Sequence, residues 1–273
     1  MKNIRLILTV LTVYITVNFS AAQTPNPQPH LHVNTRWKEC SFQIDPSLTQ
    51  DAWHQFTKEA GMVLYYRPLT DAKPMGAGRF EFSILQWTTW IDEREEAWNN
   101  TFVHPDSQHW LIGGEKLPFP GISVRAGITP KIDAGLYWTV RPGANYGVAG
   151  AQVQYNFLND TIRNWSASTR FTFSTLYGPA DLNLNVSGVD FLASKKIAIF
   201  SNWASVSPYA GFSATLSHAH EKTAAVDLKD ENILGFQAMA GAAVQIYMVR
   251  LSAEYNFANV NTLSYKLGVN FKF

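Results

Sequence analysis

His218 and His220, separated by Ala219 and followed by Glu221, are the best candidates in this chain for metal chemistry. Residues at i and i+2 of a strand share a face, so both imidazoles could offer a nitrogen to one ion. Zinc sites take three or four ligands. The others would have to come from Asp227 and Asp230, or from His104 and His109 in a separate stretch. Ser217, His218 and Glu221 also contain the residue types of a hydrolytic triad. Adjacency in sequence does not bring a nucleophile, a base and an orienting acid into hydrogen-bond reach. The reading is therefore a polar loop carrying two histidines, with no metal, no cofactor and no catalytic centre.

A second group of reactive side chains recurs at alternate positions of apolar-polar stretches: Lys131, Asp133, Arg141, Arg170, Asp181, Arg250, Glu254, Lys266 and Lys272. Charges inside strands converge if the strands close into a barrel. They then either pair across a narrow lumen or line a water-filled pore. An unpaired charge in a narrow lumen is costly, which favours pairing. In a wider lumen, rings of charge tune ion passage.

The elements that must position these groups are read from period-two alternation. In the last stretch Leu263, Tyr265, Leu267, Val269, Phe271 and Phe273 alternate with small or polar residues. Val249–Phe257, Lys131–Arg141, Ala149–Phe157, Trp165–Ser174 and Asp181–Ser187 repeat the pattern. Several of these stretches reach ten or more residues, against about five or six for strands of soluble domains. Aromatic residues gather toward strand ends, among them Trp87, Trp90, Tyr155, Phe157, Trp165, Tyr177, Tyr247, Tyr255, Phe257 and Phe271. That resembles the paired girdles of a membrane barrel, whose apolar face is outside and whose polar face is inside.

Ten strands are clear: 79–91, 120–128, 131–141, 146–157, 163–176, 180–190, 205–219, 231–246, 249–257 and 261–273. Taking Met62–Arg67 and Ala193–Ser201 as two more gives twelve, and the even-number rule of bacterial barrels admits both counts. Twelve is the expectation and ten the alternative. In the ten-strand count Asp92–Pro120 is an external loop; in the twelve-strand count it is periplasmic or folds inward. A short helix is expected between Ser47 and Gly61, with Ser47 as its cap, Gln50 completing a capping box and Gly61 ending it. It would plug the lumen, cover a mouth or lie on the membrane.

The chain opens with Lys2 and Arg5, then an apolar run from Leu6 to Phe19 that is shorter than the roughly 20 residues of a spanning helix. Ser20-Ala21-Ala22 follows, which completes the pattern of a secretory signal cut after Ala22. The expected organisation is a signal peptide at 1–22, a Pro-rich tail and helix at 23–61, and a barrel at 62–273. With 22 basic and 21 acidic residues and no basic block, a nucleic-acid partner is not expected. Cys40 is the lone cysteine, so no internal disulfide holds an exported chain together. Aromatic residues make up 14% and charged residues only 16%. That balance suits strands whose two faces meet lipid and lumen.

The closing segment Tyr265-x-Leu267-x-Val269-x-Phe271-x-Phe273 resembles the C-terminal signal of bacterial outer-membrane proteins. The resemblance implies an all-β, antiparallel transmembrane barrel in the outer membrane, with lipid and the barrel-assembly machinery as partners. The N-terminal helix before the first long strand is similar to that of barrels of the long-chain fatty acid transporter type, though no motif matches residue by residue. The expected function is a passive channel or transporter for small molecules of unspecified identity. The alternatives are a non-conducting structural or surface-interaction barrel and a soluble secreted β-protein. No enzymatic activity is expected.

Overall fold

The computed structural model describes residues 41–92, 94–103, 116–140, 146–199 and 203–272. Residues 1–40, His104, His109, Arg141 and Phe273 lie outside them, as do Cys40 and the expected signal peptide and tail.

Before the barrel come β1 (Ser41–Phe42) and α1 (Gln50–Leu64). The first long strand is β2 (Arg79–Trp90); α2 (Glu96–Asn99) and β3 (Phe102–Val103) lie in the connection after it. Then follow β4 (Lys116–Gly127), β5 (Ile132–Val140), β6 (Gly147–Asp160), β7 (Trp165–Tyr177) and β8 (Leu182–Lys195). A short β9 (Ile197–Ile199) precedes β10 (Ala204–Glu221), β11 (Glu231–Ile246), β12 (Val249–Phe257) and β13 (Thr262–Lys272).

Ten of these strands form one closed antiparallel barrel. Each pairs with the next in the order β2, β4, β5, β6, β7, β8, β10, β11, β12, β13, and β13 returns to β2. The seam runs from Thr262 opposite Thr89 to Lys272 opposite Arg79. The count is ten rather than twelve for two reasons. Met62–Leu64 are the last turn of α1, and the chain beyond them pairs with no strand. Ala193–Lys195 belong to β8, and only Ile197–Ile199 branch off, as an outer strand against Ala204–Val206.

Alternation dictates which way each side chain points. Phe80, Phe82 and Ile84 face outward on β2, while Glu81, Ser83 and Leu85 are buried inside. The outer surface carries Val124, Leu136, Trp138, Phe171, Phe173, Phe212, Phe236 and Tyr265; the inner one carries Arg125, Asp133, Arg170, Asp190, Glu254 and Lys266. Aromatics do stand outward near strand ends, as with Trp165 and Tyr247, but Trp87 is buried and packs inside.

Prolines sit where a ladder bond is missing. On one side of β10 the partner changes from β9 at Val206 to β8 at Tyr209, and Pro208 fills the gap. In β4, Pro118 and Pro120 precede Ile122, where pairing with β5 begins.

The helix α1 is inside the barrel. Every residue from Glu59 to Leu64 is buried, which a surface helix with one apolar stripe would not show. Its cap is Thr49, whose Oγ1 accepts from Ala52 N at 3.3 Å; Ser47 instead bonds the Asp45 carboxylate. Gly61 does not end the helix. A Cβ there would lie 1.9 Å from Ser217 Oγ on β10, so the glycine lets the helix approach the wall.

Replacing Gly61 by leucine is expected to push α1 off the wall while leaving the barrel ladder intact. The checks are a red shift of tryptophan emission, from Trp53 and Trp98 gaining water, with unchanged β signal in circular dichroism. Unchanged emission would mean that the close approach is not needed.

Candidate functional site

The site worth building from its residues is the lumen, because the chain itself fills it. After α1, residues 65–78 run lengthwise through the barrel with no strand to pair with. Buried backbone groups must be satisfied somewhere, and here side chains of the inner wall do it. Ser174 Oγ donates to Leu64 O at 2.9 Å and Arg170 Nη2 to Tyr66 O at 2.6 Å. Leu69 N donates to Glu254 at 2.9 Å, Ala72 N to Ser194 Oγ at 3.1 Å, and Met75 N to Asp133 at 3.1 Å. Asn156 Nδ2 donates to Ala72 O at 2.9 Å, and Gly78 N meets Gly127 O at 3.1 Å. Leu69 takes φ 46°, an uncommon left-handed value for leucine, at the point where Glu254 holds its N–H.

The end where α1 enters is apolar inside. Trp53 stacks on Phe56 at 5.6 Å, and Trp98 from the β2–β4 connection meets Phe56 edge-on at 5.2 Å. Phe42, Phe102 and Tyr146 close over them with centroids 4.7 to 5.8 Å apart. Glu59 is buried in this layer, where Trp98 Nε1 donates to it at 2.6 Å. Burial raises its carboxyl above the usual range, the Glu95 charge adds to that, and the bonds from Trp98 and Gln55 offset part of it.

Below the aromatic layer the interior is ionic and balanced. Arg67, Arg125, Arg170, Arg250 and Lys266 face Asp71, Glu81, Asp133, Asp190 and Glu254. Arg170 bonds Asp190 at 2.5 Å, and its other nitrogens reach Gln152 and Tyr66 O; the Tyr65 hydroxyl donates to the same carboxylate. Arg125 joins Asp133, Lys266 reaches Glu81 at 2.7 Å, and Arg250 reaches Asp71 at 3.0 Å. Two charges are held by neutral groups. Arg67 donates to the carbonyls of Met62, Val63 and Tyr65 at 2.6 to 3.3 Å, so the negative end of the α1 dipole faces it. Glu254 accepts from Tyr209 at 2.9 Å and Asn256 at 3.0 Å besides Leu69 N.

The charges expected from sequence to line a lumen separate into four groups, one of them Lys272 alone, exposed at the end of β13. Asp133, Arg170, Arg250, Glu254 and Lys266 project inward and are engaged as described. Lys131 and Asp181 do not line it. Lys131 is exposed in the β4–β5 turn, and Asp181 stands at the rim, where its carboxylate accepts from Ile44 N at 3.1 Å. Arg141 falls outside the described residues. Sequence reading missed Glu81, Arg125 and Asp190, inside positions of the strands β2, β4 and β8, and Asp71 on the 65–78 segment. It also missed Arg67, which no alternation marks. Tyr265, Leu267, Val269 and Phe271 share the outer face of β13.

His218 and His220 stand on the outer face of β10 near the α1 end. Their Nδ1 atoms pair with Asn232 at 3.0 Å and with Asp230 at 2.7 Å. Among the described residues no cluster of three or more His, Cys, Asp or Glu could hold a metal.

This is the architecture of a closed antiparallel barrel with an apolar exterior and a filled polar interior. No family model and no curated protein matches the chain. Solved structures similar to it include Ail, the attachment invasion locus protein of Yersinia pestis, at 12% identity over 71% of this chain and 99% of that one, with a TM-score of 0.34. The β domain of the Bordetella autotransporter BrkA is similar at 11% identity over 72% and 100%, with a TM-score of 0.39. The translocator domain of NalP from Neisseria meningitidis is similar at 10% identity over 82% and 95%, with a TM-score of 0.31.

Two outcomes follow from the interior. Arg170→Met leaves Asp190 buried and unpaired and is expected to destabilise the barrel by roughly 3–5 kcal/mol, while adding Asp190→Leu recovers part of the loss. Denaturant unfolding of the micelle-bound protein checks this, and equal losses for single and double variants would contradict the pairing. For Glu59 the sign runs the other way from an ordinary ion-paired acid. A raised pKa means that the folded state binds the proton more tightly, so the penalty exists above that pKa and disappears as pH falls through it. Glu59→Gln should therefore be at least as stable as wild type at neutral pH, with the difference shrinking on acidification.

Proposed function

We propose that the protein is an outer-membrane barrel sealed by its own N-terminal segment, which conducts no solute and presents its α1 end at the cell surface. The observation that carries this is the lumen: α1 and residues 65–78 run through it, bound at successive levels by the inner wall. The passive-channel reading would require a continuous water path, and the paired charges and packed aromatics occupy its place.

The membrane location is supported by the outer face, where Phe82, Ile84, Leu136, Phe171, Phe212, Phe236 and other large apolar side chains are exposed on a closed ladder. A closed barrel leaves no edge, which is the requirement for strands in lipid. The connections at the two mouths differ in length. The β2–β4, β5–β6 and β10–β11 connections leave from the α1 end, as do the shorter turns 178–181 and 258–261, whereas the opposite mouth holds the turns 128–131, 161–164 and 247–248, the β8–β10 connection and the ends of the barrel at Arg79 and Lys272. Bacterial barrels keep short turns on the periplasmic side and long loops outside. The surface structure so presented includes β1 paired with β3 and the start of α1, where Thr49 N donates to Glu96 and Gln50 Nε2 to Glu231.

Planar bilayers test the seal. The full chain is expected to give no steady conductance, and deletion of residues 41–64 is expected to open leak currents. Steady conductance of the intact protein would refute the proposal. Orientation is tested in a Cys40→Ser background with a membrane-impermeant maleimide. Ser47→Cys should label on intact cells, and Ala77→Cys only after permeabilisation. The reverse pattern would invert the assignment.

A further inference from the structure

The mouth opposite α1 has a charge distribution unlike the rest of the interior. Five cations and one acid line a cavity of about 460 Å³ there: Lys73, Arg79, Lys196, Arg250, Lys272 and Asp71. They come from five places in the chain, namely the emerging 65–78 segment, the start of β2, the β8–β9 connection, the start of β12 and the end of β13. Asp71, the one acid, is engaged by Arg250 at 3.0 Å. The lining offers Lys73, Arg79, Lys196 and Lys272 no acid besides Asp71, whose charge also acts on Lys73. Higher in the lumen, four cations, Arg67, Arg125, Arg170 and Lys266, meet four acids, Glu81, Asp133, Asp190 and Glu254. At the mouth the balance is lost.

The strand register bears on the same mouth. Arg79 and Lys272 are directly opposite each other in the β2–β13 register, at the last pair of the barrel seam. Like charges directly across an antiparallel pair destabilise it. The strand ends that close the barrel thus carry a repulsive pair. Beside it, Arg250 keeps its Nε without a hydrogen bond, 3.9 Å from Glu81.

We infer that this mouth is a binding site for a phosphate-bearing anion carrying two or more negative charges. Guanidinium forks suit phosphate oxygens bidentately, and ammonium groups add point charges. A singly charged carboxylate would leave most of the cationic excess uncompensated. The apolar Met248 and Phe271 line the same cavity and are about half exposed, so both a diphosphate in solution and an acidic lipid head with its chains against the barrel meet the chemistry. Binding an anion here removes the repulsion between Arg79 and Lys272.

The test uses the whole protein in neutral detergent. Calorimetric titration with sodium pyrophosphate is expected to show saturable binding that weakens with added salt. The triple variant Arg79→Gln, Lys196→Gln, Lys272→Gln should bind on the order of tenfold or more weakly, given the strength of charge-assisted hydrogen bonds. Native mass spectrometry with cardiolipin or phosphatidylcholine separates the sources. Retention of cardiolipin, displaced by pyrophosphate, identifies a lipid head. Pyrophosphate binding without cardiolipin retention identifies a soluble anion. Binding of neither, or equal binding by the triple variant, overturns the inference. Arg79→Glu supplies a second readout: it should raise the melting temperature by pairing with Lys272 while weakening anion binding. An unchanged melting temperature would mean that the seam carries no repulsion, and would also overturn it.

Discussion

An irregular stretch of backbone inside a barrel has neither sheet nor water to satisfy it, and the rest of this structure answers to that constraint. Residues 65–78 bring peptide groups into a space walled by ten strands. Each unsatisfied group would cost on the order of 1–3 kcal/mol. The wall therefore supplies donors and acceptors at matching heights: Ser174 and Arg170 near α1, Glu254 at Leu69, Ser194 and Asn156 at Ala72, Asp133 at Met75. The lumen charges are receptors for the segment as much as partners for one another. Arg125 bonds both Asp133 and Thr70, and Asp190 accepts from both Arg170 and Tyr65.

The interior is layered because the segment changes character along its length. While the chain is helical its backbone is self-satisfied, and the surrounding layer can be aromatic. At Leu64 the helix ends, its last carbonyls face Arg67, and polar residues take over. Glu59 is the exception, an acid placed in the aromatic layer and held there by the Trp98 indole.

Much of the barrel was legible. Alternation in β5, β6, β7, β12 and β13 gave boundaries within a few residues of those observed, because pointing in or out is decided locally. The threaded segment was not legible, because its bonds go to side chains 55 to 185 positions away and leave no period. Ala72 with Ser194 and Leu69 with Glu254 are such pairs. Met62–Arg67 has strand-like composition, and its apolar residues are there for a lumen on all sides. Gly61 is punctuation in sequence but clearance in space. Five lumen charges were missed for a simpler reason: Arg67 and Asp71 lie on the segment, and Glu81, Arg125 and Asp190 are inside positions whose partners are remote.

The threading has a mechanical consequence. A pull on Ser41 from the α1 end would load residues 65–78 lengthwise, and the bonds from Leu64 to Gly78 would resist in parallel shear rather than one after another. What they do not absorb arrives at Arg79, where β2 begins and is clamped on one side by β4 and on the other by β13. The molecule is built like a rivet, with an aromatic head at one mouth, a shank through the lumen and its far end worked into the seam.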